Sequence, residues 1–191
     1  MDRKKKRLFI AINLPEKIKK QIRAELKKIR PKFANDIRFL KPDNWHITLV
    51  FLGYQPVEKI IGILRAIETT ARNFSGFKIE LSDLSYGPPD KAPRMIWING
   101  SLRTSRKLSK IKTSLENNLE ENGVNFHQDY PIFRTHITLA RFSAVTKSES
   151  EKLPKIGQKL SWHFPAKSLE LMESHLARKG AEYSQLASYK F

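Results

Sequence analysis

The chain contains no cysteine. Without thiols it can form neither disulfide bonds nor metal sites built on thiolate ligands. Acidic residues are also scarce, because 19 Asp and Glu stand against 36 Lys and Arg and leave a formal net charge of +17. No apolar run approaches the roughly 20 residues that a membrane-spanning helix needs, so the sequence predicts no such segment.

The length and the N-terminal residues set further bounds. The chain has 191 residues, of which 40% are hydrophobic, enough for one domain with a substantial core or for two small lobes. A predominantly basic segment, residues 1–7, precedes a short apolar stretch over 8–14 that stops at Pro15 without a small-residue cleavage site. We therefore expect a first strand, not a secretory signal, and a cytoplasmic protein. The positive charge favours nucleic acid as a partner, with an anionic membrane surface or a general lysine bias as alternatives.

Helices and strands are interleaved, with no Gly/Ser-rich linker between them. Apolar residues at helical spacing predict three helices: Ile18, Ile22, Leu26 and Ile29 between Pro15 and Pro31; Val57, Ile60, Ile61, Leu64, Ile67 and Phe74; and Leu108, Ile111, Leu115 and Leu119, closed by Gly123. A short helix is also expected around 148–160. Strands are expected over 8–12, 45–53, 77–86, 94–98, 135–142, 169–176 and 183–189. The pattern predicts an α+β unit made of two pseudo-equivalent lobes.

The tetrapeptide His-Ile-Thr-Leu occurs twice, at 46–49 and at 136–139, although the chain has only five histidines. In a strand, residues i and i+2 share a face. His46 and Thr48 therefore point one way and the apolar pair between them points the other, and the same holds for His136 and Thr138. The repeat predicts two similar half-sites that share one cavity.

Two imidazoles in one cavity can act as a general acid and a general base near neutral pH. Phosphodiester chemistry suits such a pair, because one imidazole takes a proton from the attacking oxygen while the other gives one to the leaving oxygen. The neighbouring threonine hydroxyls can donate hydrogen bonds to phosphoryl oxygens. This scheme requires no metal.

Two other interpretations of the histidines are open. Each could simply pack in a half-buried strand, which is the usual role of a lone histidine but a poor explanation of a duplicated motif. The pair could also bind zinc, which needs a third ligand such as Asp43 or Asp129. The chain has no His-x-His, His-Glu-x-x-His or cysteine pair that would support a zinc site.

The paired motifs resemble those of the 2H phosphoesterase superfamily, which is named for two His-x-Thr/Ser motifs. More narrowly they resemble the RNA 2′,3′-cyclic phosphodiesterases of bacteria and archaea, also called 2′-5′ RNA ligases. The resemblance runs nearly end to end. It is carried by the opening strand over 7–12, the first motif over 45–53, the central strand over 93–97, the second motif over 136–141, and the tail residues Leu171, Ser174, Leu176, Gly180 and Tyr183.

The resemblance implies an α+β, bilobal fold over residues 1–191 as a single domain, with two pseudo-symmetric lobes whose antiparallel-rich sheets line a central cleft and with helices outside. It implies hydrolysis of a terminal 2′,3′-cyclic phosphate on RNA, such as a tRNA fragment, to a 2′-phosphomonoester, by a cytoplasmic monomer without metal, cofactor or membrane. His46 would protonate the leaving 3′ oxygen and His136 would accept a proton from water. The nearly identical motifs do not themselves fix this order.

The resemblance also makes Arg141 a phosphate ligand, since its guanidinium can hold two oxygens at once. Strict alternation, however, places Arg141 on the face opposite His136 and Thr138, unless the strand kinks or ends near Ala140. The chain departs from the family at Thr135, where proline commonly precedes the second histidine. Thr135 supplies an N–H and a hydroxyl in its place.

Other candidates carry weaker signals. His127 lies in an expected loop upstream of the second motif and could touch the substrate. His163 and His175 fall in C-terminal strands and are expected to be structural or exposed. Aromatic residues could stack a nucleobase, as could Arg94, although most strand aromatics belong to the core. The aromatic candidates are Phe9, Trp45, Phe51, Trp97 and Phe133.

Three alternatives compete with cyclic phosphodiester hydrolysis. The same residues could join tRNA half-molecules by 2′-5′ ligation, with a 5′-hydroxyl in place of water. The chain could be a non-catalytic basic RNA-binding protein, although phosphate binding alone needs only Lys and Arg. It could also perform another 2H reaction, such as cleavage of a cyclic nucleotide or of an ADP-ribose phosphate.

Overall fold

Two antiparallel sheets organise the chain. The computed structural model of the protein describes residues 5–33, 37–89, 91–127, 133–143, 151–177 and 180–191. Its elements are β1 (Lys5–Asn13), α1 (Glu16–Ile29), β2 (Arg38–Phe39), β3 (His46–Pro56), α2 (Ile60–Arg72), β4 (Phe77–Gly87), β5 (Met95–Gly100), α3 (Leu102–Glu121), β6 (His136–Arg141), β7 (Gln158–Ala166), β8 (Ser168–Ala177) and β9 (Gly180–Lys190). The four-stranded sheet has the order β3-β1-β8-β9, and the five-stranded sheet has the order β2-β6-β5-β4-β7.

The three predicted helices are present, and their ends follow the local sequence. α1 begins directly after Pro15 and gives way at Arg30 to a single 3₁₀ turn that contains Pro31. α3 is capped by Ser101, whose hydroxyl accepts a hydrogen bond from the backbone N–H of Thr104 at 3.1 Å. α3 ends at a left-handed Gly123 with φ of 65°, the conformation that favours glycine after a helix.

The apolar stripes of the helices meet the inner faces of both sheets in one buried cluster. The α1 stripe from Ile18 to Ile29, for example, is at most 3% exposed. Helix α2 packs against α3 and against β8 and β9, while α1 contacts β7 of the other sheet. The helices therefore cover one side of the sheets and leave the other side to form a cleft. None of the described helices is long and apolar enough to cross a membrane.

The predicted α+β class with antiparallel sheets is confirmed, but one predicted element is wrong. The expected helix around 148–160 is absent from its described part, where residues 151–157 form a turn and an irregular segment and β7 begins at Gln158. Pro154 and Gly157 break helical backbone in this segment. Residues 158–166 then pair with β4. Residues 148–150 lie outside the described ranges.

Candidate active site

The two His-Ile-Thr-Leu segments begin β3 and β6 and have the same burial pattern. In each, the histidine and threonine are half-buried, while Ile47 and Leu49, like Ile137 and Leu139, are buried in the core. The side chains of the histidine and threonine therefore point into the cleft. The predicted sharing of one face is observed in both strands.

The two segments also have the same register against their neighbours, β1 and β5. The pairs are Ile10–Val50, Ala11–Thr48, Ile12–Ile47 and Asn13–His46 in the four-stranded sheet, and Ile96–Ala140, Trp97–Thr138, Ile98–Ile137 and Asn99–His136 in the five-stranded sheet. Leu49 and Leu139 are skipped in this pairing, so each strand carries a β-bulge at the same motif position. The two sheets thus repeat one local structure around each histidine.

The bulge resolves the conflict at Arg141. Because Leu139 and Ala140 are both buried in succession, the alternation resets and Arg141 returns to the side of His136 and Thr138. The same reset in β3 brings Phe51 to the equivalent position. We name the two sets the β3 half-site (Asn13, His46, Thr48 and Phe51) and the β6 half-site (Asn99, His136, Thr138 and Arg141).

His46 lies against two aromatic rings on the cleft face of the four-stranded sheet. Its ring centroid is 4.9 Å from that of Phe9 and 5.2 Å from that of Tyr183, the latter in an edge-on arrangement. Burial lowers the pKa of His46 to about 4, and a hydrogen bond with the backbone of Asn44 opposes this shift. The apolar surroundings thus favour the neutral imidazole.

His136 is held differently. Its imidazole stacks on the indole of Trp97 with 3.9 Å between centroids and an angle of 19°. Its Nδ1 lies 2.9 Å from the carbonyl oxygen of Arg134, so Nε2 is the nitrogen left for a substrate. The indole itself rests on Gly87, where an added Cβ would lie 2.5 Å from Trp97 Cε3. Burial lowers the pKa of His136, against the effect of the Arg134 hydrogen bond.

The charges of the two half-sites act on each other across the cleft. The pKa of His46 is lowered further by the positive charges of His136 and Arg141, and Arg141 also lowers the pKa of His136. The structure therefore brings His46, His136 and Arg141 within electrostatic range of one another. A cavity with two imidazoles and one guanidinium suits an anionic group that exchanges protons on two sides.

The sequence reasoning missed Asn13 and Asn99. Each lies directly across from a histidine on the neighbouring strand, on the same face, and is half-buried. A signal was available, because the chain reads Ile-Ala-Ile-Asn over 10–13 and Ile-Trp-Ile-Asn over 96–99. This second repeat marks the strands that pair with the first one.

Thr135 enters β6 through two backbone hydrogen bonds, of which the one donated by its N–H is not available to a proline. Its buried backbone N–H donates to Ser105 Oγ of α3 at 3.2 Å, and its carbonyl accepts from the N–H of Gly100 at 2.8 Å. Thr135 therefore ties the start of the second motif to both α3 and β5.

The remaining candidates differ in their burial and in their contacts. His127, His163, His175 and Arg94 are exposed, Trp45 is buried in the main core, and Phe133 is half-buried against that core. Phe9 and Trp97 line the histidines as described, and Phe51 is 51% exposed. Asp43 lies 3.5 Å from Lys19 Nζ, and Asp129 is outside the described residues. Among the described residues, no group of three or more His, Asp or Glu is arranged to hold a metal ion.

Comparison with known proteins places the chain in a family. Residues 12–97 match the family model described as LigT like Phosphoesterase. The chain is 30% identical over 182 residues to the RNA 2′,3′-cyclic phosphodiesterase of Escherichia coli, with 94% of this chain and 93% of that protein covered. It is 24% identical to the protein of the same name from Archaeoglobus fulgidus, with 96% and 99% covered. The crystal structure of E. coli LigT complexed with 3′-AMP superposes with a TM-score of 0.77 at 26% identity, with 98% and 99% covered. This chain, with its two His-x-Thr half-sites facing one cleft, belongs to the LigT-like family of 2H phosphoesterases.

Proposed function

We propose that this protein is an RNA 2′,3′-cyclic phosphodiesterase, which opens a terminal cyclic phosphate with water to give a 2′-phosphomonoester. The observation that carries the proposal is the duplication: two histidines lie at the same position of equivalently bulged strands, and the charge of His136 acts on His46 across a single cleft. In-line displacement at phosphorus has the same two-sided form, because one oxygen attacks as the other leaves.

Each histidine takes one side of the displacement. His136 accepts a proton from water through Nε2, since its Nδ1 is engaged by the Arg134 carbonyl. His46 donates a proton to the 3′ oxygen as the bond between phosphorus and that oxygen breaks. His46 is the proton donor and His136 the proton acceptor in this order.

The other polar groups of the half-sites handle the phosphoryl oxygens. Thr48 and Thr138 share the cleft face with the histidines, and their hydroxyls donate hydrogen bonds to oxygens that gain charge in the transition state. Arg141 binds the same group through its planar guanidinium. The anion bound there offsets the burial and the positive charges that keep the histidines neutral in the free protein.

The partners of the reaction are RNA ends, with tRNA fragments among the candidates. The net charge of +17 attracts the phosphates of a longer RNA. The protein works as a cytoplasmic monomer without a metal or cofactor.

The test is incubation of the pure protein with an oligonucleotide that ends in a 2′,3′-cyclic phosphate, in the presence and absence of EDTA, with the position of the product phosphate mapped. A 2′-phosphate formed at the same rate in both samples is the expected result. Loss of activity on chelation, restored by a divalent ion, would contradict the metal-free mechanism. RNA binding without any turnover would indicate a non-catalytic, basic RNA-binding protein.

The salt dependence of binding distinguishes recognition of the RNA backbone from the reaction at the RNA end. Binding of a long RNA should weaken steeply as salt rises, because each phosphate contact releases counterions. A dinucleotide with the same terminus offers few phosphates and should respond much less. Equal salt dependence for both substrates would show that the net charge has no part in recognition.

The same residues also suit 2′-5′ joining as a second activity. A 5′-hydroxyl would occupy the position of water and give its proton to His136, while His46 again protonates the leaving 3′ oxygen. Water is in large excess over RNA ends, so hydrolysis dominates at dilute ends.

A further inference from the structure

Asn99 lies next to the histidine that we assign to water. It pairs directly with His136 across β5 and β6, and on its other side it pairs with Asp83 of β4. Residues that are directly opposite in antiparallel strands point to the same face, with Cβ atoms about 5 Å apart. The Asn99 amide is therefore a close polar neighbour of the His136 imidazole in the cleft.

The orientation of this amide is fixed by its other neighbours. Nδ2 of Asn99 donates to Asp83 Oδ2 at 2.6 Å and to Ser85 Oγ at 2.8 Å. The Asp83 carboxylate can only accept, and the hydroxyl of Ser82 holds its other oxygen at 2.6 Å. Both hydrogens of Nδ2 are thus engaged within the sheet, and the amide cannot flip without placing Oδ1 against a carboxylate. Oδ1 is left as an acceptor for the cleft.

Asn13, its equivalent beside His46, is not fixed in this way. Its Nδ2 donates to Gln185 Oε1 at 3.0 Å and makes a long contact of 3.8 Å with Met172 Sδ. Gln185 is exposed and carries an amide of its own. If both amides rotate, donor and acceptor exchange and the hydrogen bond survives. Only the Asn99 amide presents a fixed acceptor.

We propose that Asn99 Oδ1 accepts a hydrogen bond from the second O–H of the attacking water and so selects water over an alcohol; this inference rests on the proposed function. Water has two protons. One passes to His136 Nε2 as the oxygen bonds to phosphorus and the bond to the 3′ oxygen breaks, with His46 supplying the proton that the leaving oxygen gains. The other proton stays on the attacking oxygen and needs an acceptor, which Asn99 supplies.

An alcohol has only one proton to give. When that proton passes to His136, a carbon atom occupies the place of the second hydrogen and faces Asn99 Oδ1 without a hydrogen bond. The attacking 5′-hydroxyl in ligation is such an alcohol. Asn99 therefore sets the preference for hydrolysis over joining in a site that is otherwise suited to both.

Competition between water and methanol tests this assignment. A dinucleotide with a 2′,3′-cyclic phosphate is incubated in water containing a fixed share of methanol, and mass spectrometry measures the 2′-phosphate and its methyl ester. Asn99→Leu keeps the shape and removes the acceptor. We expect the ratio of ester to acid to rise about 10-fold, the effect of about one neutral hydrogen bond. The ratio does not depend on how much of the variant is folded.

Two further variants make the result decisive. Asn13→Leu removes the equivalent amide and should leave the ratio within about twofold of wild type. Asp83→Asn removes the carboxylate that fixes the Asn99 amide and should raise the ratio of ester to acid by less than Asn99→Leu does. If Asn99→Leu forms neither product, Asp83→Asn is the deciding variant. If the ratio of ester to acid is unchanged in the deciding variant, the inference is overturned. It is also overturned if the ratio rises in Asn13→Leu and not in Asn99→Leu. A wild-type protein that forms no 2′-phosphate would instead refute the proposed function.

Discussion

The β3 and β6 half-sites share a backbone and differ in what lies beneath the histidine. At the position opposite the motif threonine, β1 carries Ala11 and β5 carries Trp97. The small side chain leaves room for Phe9 to approach His46, whereas the indole stacks flat on His136. Register and bulge thus reproduce the same strand geometry twice, and the strand beside each motif decides how firmly its imidazole is held.

The charge of the cleft is also unevenly divided. The bulge places an apolar Phe51 in one half-site and the cationic Arg141 in the other. That single cation lowers the pKa of both histidines. In the proposed mechanism, proton transfer therefore uses the duplicated strand geometry, while phosphate binding and water selection belong to the β6 half-site.

The largest expected effect comes from removal of either imidazole. His46→Ala and His136→Ala should each lower turnover by about 10²–10⁴-fold, because a general acid or base is lost. The double variant should be little worse than the singles if both histidines act in one step. Single-turnover rates, with thermal unfolding as a check on the fold, measure this. Near-normal activity in either single variant would refute the two-histidine mechanism.

Removal of a hydroxyl from either half-site should have a smaller effect. Thr48→Val and Thr138→Val keep the β-branched shape but lose the hydrogen-bond donor, so we expect rate losses on the order of 10–10³-fold. The loss should fall on kcat more than on KM, since the hydroxyls act on charge that develops in the transition state. Full activity in both variants would show that the two threonine hydroxyls have no role in the reaction.

Arg141→Lys tests the role of the cation that only the β6 half-site carries. The lysine keeps the cation and loses the planar fork, so we expect roughly a 10-fold loss in kcat/KM. Arg94→Lys, a matched change at an exposed arginine, should have no effect. Unchanged kinetics for Arg141→Lys would show that the guanidinium of Arg141 has no specific role in phosphate binding.

The smallest expected effect is a displacement of the pH profile. Activity requires one neutral and one protonated histidine, so the profile should be bell-shaped. Burial lowers both pKa values below 6.5, that of His46 to about 4. The profile of kcat/KM, which reports the free protein, should therefore have its optimum on the acidic side of 6.5.

Bound substrate changes this profile in a defined direction. A phosphate anion favours imidazolium, so the profile of kcat should lie at higher pH than that of kcat/KM by about one unit. A rate that rises steadily into alkaline pH would contradict this and indicate attack by hydroxide.

The parts of the site that follow a two-residue period could be predicted from the sequence. His46 and Thr48 share a face because the strand stays regular between them. The apolar stripes predicted α1 to α3 because the helical period of 3.6 residues is also regular there. The position of Arg141 depends on a bulge, which is a property of the pairing with β5; the sequence left open whether the strand kinks near Ala140.

Other misses had different causes. β7 has apolar residues at every second position, Leu160, Trp162 and Phe164, but the helix expected around 148–160 overlapped the start of this strand. The two-residue β2 is too short to give a period. Asn99 was within reach through the Ile-x-Ile-Asn repeat, yet its locked amide depends on Asp83, a residue that only the sheet brings beside it.

The contact between Gly87 and Trp97 makes an inconspicuous loop-end glycine a determinant of fitness. Gly87 touches no substrate in the proposed mechanism, yet any side chain there would push the indole toward His136. In a saturation mutagenesis screen, position 87 should therefore tolerate almost no replacement while flanking surface positions accept many. Substitutions that enlarge residue 87 should be recovered only alongside a smaller residue at 97, and such paired suppressors would reveal the contact genetically.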